Sequence, residues 1–149
     1  ALSADIYRLG SDPRDPLGPP LPKTPTPALD LAVLDAAITR LDGAAKAFDA
    51  AIAAKEGSLT PAQTTALNGK LRDIEQTLLS PSGLPFRPWF RNILYAPGRF
   101  TGYGSKTLPG LREAVEERRF DDATREAGIA AKALGDYADR LNEAAGLLK

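Results

Sequence analysis

Between Ala28 and Lys55 the apolar residues recur at alternating steps of three and four. Leu31, Leu34, Ile38, Leu41, Ala45, Phe48 and Ile52 share one face of a helix, while Asp35, Arg40, Asp42, Lys46 and Asp49 take the other. Alanines on the flanks favour helix and allow close approach of a neighbour. Gly57 and Ser58 break the pattern. Thr60, Pro61 and Gln63 then supply a capping box with proline at the first helical position. A second helix is predicted to about Leu79, with Leu67, Leu71, Ile74 and Leu78 inward, and Ser80–Gly83 end it. Thr107 is the expected cap of a third helix, which turns Leu108, Leu111 and Val115 inward and ends near Arg119. Asp121 is the expected cap of a fourth, running to about Leu148 with Ala127, Ala130, Leu134, Tyr137, Leu141, Ala145 and Leu148 inward. Four amphipathic helices without convincing strand alternation predict an all-α fold. The expected form is an up-and-down four-helix bundle with a long aromatic and glycine-rich crossover loop between helices 2 and 3.

That loop, residues 84–106, is the unusual segment. Phe86, Trp89, Phe90 and Tyr95 alternate with Arg87 and Arg91, and Gly98, Gly102 and Gly104 follow. Pro85, Pro88 and Pro97 forbid a regular helix. A loop this long and aromatic is expected to be packed down and functional. Residues 1–27 form a different unit. Pro13, Pro16, Pro19, Pro20, Pro22, Pro25 and Pro27 predict an extended strap or linker ahead of a helical domain at 28–149.

Composition then removes most chemistry. The chain has 149 residues, with 19 basic and 19 acidic side chains and no histidine, cysteine or methionine. Without histidine or cysteine it has neither Ser-His-Asp nor Cys-His catalysis, nor the usual ligands of catalytic zinc. A zero net charge argues against nucleic acid, and no apolar run reaches the ~20 residues that span a bilayer. The lack of methionine makes a processed mature chain or a piece of a longer protein the expected origin.

The remaining candidates have bland readings beside sharp ones. Glycines in 98–110 fit neither the Walker nor the dinucleotide spacing. Glu113, Glu116 and Glu117, interleaved with Arg112, Arg118 and Arg119, read as a solvated helix face. Arg87, Trp89, Phe90, Arg91 and Tyr95 are expected to anchor the loop, in preference to stacking on single-stranded nucleic acid. Tyr103, between Gly102 and Gly104, is presented on a turn with few local partners. It is either a plug into a neighbouring domain or a ligand contact.

The stretch Ser80–Val115 resembles the C-terminal dimerisation domain of the transferrin receptor and glutamate carboxypeptidase II family. The shared elements are Gly83-Leu84-Pro85, Arg87-Pro88-Trp89-Phe90-Arg91, Tyr95-Ala96-Pro97, and Pro109-Gly110 opening a helix. The resemblance covers roughly residues 28–149. It implies a homodimerising helical module that follows a protease-like domain. In the active peptidases that other domain binds two zinc ions, and the loop of this module reaches the substrate cleft. No cofactor is expected in this chain itself. In glutamate carboxypeptidase II-like members a Lys-Tyr pair on this loop helps bind the substrate's terminal glutamate. The matching positions are Gly102 and Tyr103, so the tyrosine is kept and the lysine is not. Family analogy points to export or a periplasmic location.

The resulting expectation is a non-catalytic dimerisation and accessory domain. Its partners would be a second copy and the protease-like domain of the same longer chain, with no nucleic acid and no membrane contact from this segment. The rival readings are a carboxylate-only helical enzyme, an independent helical binding module, and the dimerisation domain of a catalytically dead receptor-like relative.

Overall fold

The structure, a computed structural model, describes residues 12–15 and 25–148. Most of the proline-rich strap expected over 1–27 therefore lies outside the described residues. Asp12–Asp15 form a turn in which Asp15 N–H donates to the Asp12 carbonyl at 3.0 Å.

The described chain is mostly helical. Helix α1 spans Ala32–Ala54 and α2 spans Pro61–Asp73, with a 3-10 turn at Ile74–Leu78. Two short strands follow, β1 (Tyr95–Pro97) and β2 (Ser105–Thr107), then α3 (Pro109–Glu116) and α4 (Phe120–Gly146). The expected capping box forms at α2. Gln63 N–H donates to Thr60 Oγ1 at 3.2 Å and Thr60 N–H donates to Gln63 Oε1 at 3.1 Å. At α1 Leu31 holds the cap position without a side-chain cap, and the carboxylate of the preceding Asp30 accepts the Ala32 N–H at 2.9 Å.

Helix α4 is the spine. Its small residues enter all four apolar clusters: Ala130 and Leu134 with Leu34 and Ala37, Ala138 and Leu141 with Ala44 and Ile74, Ala133 with Leu84, Ile93 and Ala96, and Ala144 with Leu67 and Leu148. Ala123, Ala127, Ala138 and Ala144 are completely buried. Methyl-sized side chains let α1 and α3 approach the α4 backbone closely, so much of its length is covered without bulky residues.

Three sequence expectations change here. Ile38 does not face inward: it is 50% exposed, and the buried line along α1 runs through Leu34, Ala37 and Ala44 instead. The apolar stripe of α1 is wider than the face that α4 covers. Thr107 does not cap α3, because it is paired with Tyr95 in the hairpin. Leu108 takes the cap position with φ 45°, and its N–H donates to the Leu94 carbonyl at 2.7 Å. Pro109, with φ preset for helix, then starts α3. Asp121 does not cap α4 but lies in its first turn with Asp122, where carboxylates favour the helix dipole.

The sequence allows a short turn or strand around Arg91–Tyr95, but a paired hairpin goes beyond that expectation. β1 and β2 pair antiparallel, with Tyr95 opposite Thr107, Ala96 opposite Lys106 and Pro97 opposite Ser105. Only the central pair faces inward. Three residues a side are too few for alternation to stand out in sequence.

Candidate functional site: a braced loop tip

The loop between the 3-10 turn and α3 folds in two stages. Residues 80–91 make a tight double turn. Ser80 N–H donates to the Arg91 carbonyl at 2.8 Å, Leu84 N–H to the Phe90 carbonyl at 2.8 Å, and Arg87 N–H to the Leu84 carbonyl at 3.1 Å. Gly83 at φ 67° and Phe86 at φ 63° supply the left-handed backbone that reverses the chain twice. Leu84 and Ile93 anchor this turn on α4.

The hairpin then projects the tip Gly98–Gly104, which closes on itself. Gly98 N–H donates to the Gly104 carbonyl at 2.9 Å and Thr101 Oγ1 donates to the same oxygen at 2.8 Å. Gly102 has φ 58° with open space around it. Tyr103 stands fully in solvent, at 106% of reference exposure. Neither candidate contact residue touches a buried group, and the tip is shaped by what lies beneath it.

Beneath the tip lies an ion pair absent from the expected site. Arg87 Nη2 donates to Glu113 Oε2 at 2.8 Å, with the side chains only 5% and 7% exposed. Arg87 Nη1 donates to the Pro97 carbonyl at 2.5 Å, and Arg99 N–H donates to Glu113 Oε1 at 2.8 Å. Glu113 is thus no part of a solvated acidic face. The signal was the small neighbour Ala114 and, one turn earlier, Gly110, which mark the α3 face that packs closely. A second grip comes from Glu116, which accepts from Lys106 of β2 and from Arg112. Those hydrogen bonds, Lys106 first, hold the Glu116 carboxyl below its ordinary range. Glu126 of α4 is buried against Gly110, and that burial raises its carboxyl above its usual range.

The expected anchors divide. Arg87 is buried. Phe90 is half-buried with the Arg87 guanidinium 5.7 Å from its ring centre, and Arg91 Nε donates to the Ser80 carbonyl at 3.2 Å. Trp89 and Tyr95 do not anchor through their rings, which are 72% and 62% exposed. Phe86 and Phe100 are exposed as well, and the Arg99 guanidinium lies over both, 4.2 and 4.9 Å from the ring centres. The outer face of the loop therefore carries aromatic surface, while its inner face holds the charges.

A second apolar surface lies on the helices. A groove of about 470 Å³ runs between α1 and α4, lined by Leu41, Ala45, Phe48, Leu78, Leu134 and Tyr137 among others. Ile38, one turn before Leu41 on α1, is exposed as well.

A family model described as the transferrin receptor-like dimerisation domain matches residues 29–142, the helices and the braced loop together. This chain belongs to that family. Its relatives include a probable glutamate carboxypeptidase of Arabidopsis thaliana, 32% identical over 91 residues. Another is a probable glutamate carboxypeptidase of Arthroderma benhamiae, 34% identical over 91 residues. The matched stretch is 61% and 60% of this chain but only 13% and 12% of those proteins. The dimerisation domain thus corresponds to a small part of each relative.

Proposed function

We propose that this domain pairs with a second copy through the α1–α4 groove, and that its loop tip completes the substrate cleft of a glutamate carboxypeptidase-like zinc peptidase. The observation that carries the cleft reading is the contrast at the tip. Tyr103 is wholly exposed, yet the backbone on both sides of Gly98, where its loop begins, is tied to a buried ion pair. A bare tyrosine on a braced support suits a contact with something outside the domain. Its hydroxyl would donate to a substrate carboxylate. Glycine at 102, where glutamate carboxypeptidase II-like members carry lysine, leaves no cation beside that carboxylate, so a strict preference for terminal glutamate is not expected. The exposed rings of Phe86, Trp89 and Phe100 give a protease-like domain an apolar surface to rest on.

Zinc enters this reading only through that other domain. The chain has no histidine or cysteine, and among the described residues no three potential ligands converge. These residues do not fit a zinc site, and the domain's own contribution is positioning.

The test is Tyr103→Phe in the full-length protein. Loss of one hydrogen bond to a charged group is worth about 1.5–3 kcal/mol, so KM for a peptide with a free carboxylate should rise roughly ten- to hundredfold. An unchanged kcat/KM would remove the cleft reading and favour a relative whose module only dimerises.

A further inference from the structure

We propose that Arg87 and Glu113 are a positioning pair that fixes the 98–104 tip, and with it the direction in which Tyr103 points. The inference rests on reading the tip as an external contact.

The pair grips the loop from both sides. Glu113 comes from α3 and Arg87 from the double turn, and they meet under the hairpin. One fork of the guanidinium holds the Pro97 carbonyl, and the second carboxylate oxygen holds the Arg99 N–H. Pro97 and Arg99 flank Gly98, where the chain leaves β1 and the tip begins. One ion pair thus ties the backbone on both sides of the tip's first hinge. A planar fork with two fixed donors suits this double duty, and a single ammonium does not.

Energetics favour positioning over general stabilisation. A buried ion pair repays little more than its own desolvation, and apolar replacements of similar size often serve stability as well. Arg87 Nε has no hydrogen-bond partner although it is buried, so the arrangement is not even fully satisfied. What the pair supplies beyond packing is direction, through two backbone groups that no apolar side chain can hold. The neighbouring brace is weaker in kind. Glu116, which holds Lys106, is exposed and its pair is screened by water.

The experiment is site-resolved hydrogen exchange on the 149-residue chain, which reads order at the tip without reference to catalysis. In Arg87→Met/Glu113→Leu, the amides of Gly98, Arg99 and Gly104 should accelerate roughly tenfold or more beyond any loss of protection shared with Ala130–Leu141 of α4, which reports the lower global stability. Arg87→Lys carries the test if the double variant does not fold. Its charge remains, but it cannot hold Glu113 and Pro97 together, and the same amides should accelerate several-fold. Unchanged tip protection would overturn the proposal. So would parallel acceleration of the tip and α4, which would make the pair a support of the whole fold. A loosened tip combined with normal activity of Tyr103→Phe would retain the positioning role and discard the cleft.

Discussion

Alanine at Gly83 is expected to destabilise the chain by about 2–4 kcal/mol, far more than alanine at any exposed glycine. Two costs combine. Gly83 sits at φ 67°, a region where a Cβ carries a penalty of roughly 1–2 kcal/mol. An added Cβ would also lie 2.1 Å from the Pro88 carbonyl oxygen and 2.5 Å from its carbon. These are backbone atoms in a turn closed by its own hydrogen bonds, so the turn must open. Opening it would pull Leu84, which is almost fully buried, off α4. Gly57 is the control. It has φ 73° but open space where a Cβ would lie, so Gly57→Ala should cost only the roughly 1–2 kcal/mol of backbone strain. Urea unfolding followed by circular dichroism at one fixed protein concentration separates them. Equal losses would show that the 80–91 turn is not held as described.

Removing the Glu113 carboxylate should have the largest effect of a single side chain, a loss of about 3–5 kcal/mol for Glu113→Ala. The variant leaves the Arg87 guanidinium buried with only the Pro97 carbonyl as hydrogen-bond acceptor, and it strips the Arg99 N–H of its acceptor. Arg87→Met/Glu113→Leu should recover part of this loss, because no unpaired charge stays behind. Recovery is incomplete, since the Pro97 carbonyl and Arg99 N–H still lack partners. The same urea titration reads both. A loss under about 1 kcal/mol for Glu113→Ala would mean that water reaches Arg87 freely.

How much was legible in the sequence follows from the range of each interaction. The α2 capping box depends on three neighbouring residues, Thr60, Pro61 and Gln63, and it formed as read. Helix positions followed from periodicity, which is also local. Ile38 failed because periodicity reports which residues share a face, not how much of that face a partner covers. Leu108 at φ 45° and the start of α3 depend on a hydrogen bond to Leu94, fourteen residues away, and on Thr107 being drawn into the hairpin. No local preference encodes either.

Charge is the hardest case. Glu113 looks like its neighbours Glu116 and Glu117, and only the approach of Arg87, twenty-six residues earlier, makes it a buried partner. The exposed tip was easier. Gly102-Tyr103-Gly104 offers no packing partners, and the tyrosine indeed stands in solvent.

The central claim is that this domain pairs through surface its own helices leave uncovered. Ala45 and Phe48 line the open groove on α1, and Ile38 on the same helix is half exposed, so a second copy would bury apolar area there. Sedimentation equilibrium of the 149-residue chain, up to about 100 µM, tests this directly. The expected result is a mass of twice 15.8 kDa, falling towards 15.8 kDa for Ile38→Asp with helical content unchanged. A wild-type chain that stays at 15.8 kDa across the range would contradict the account.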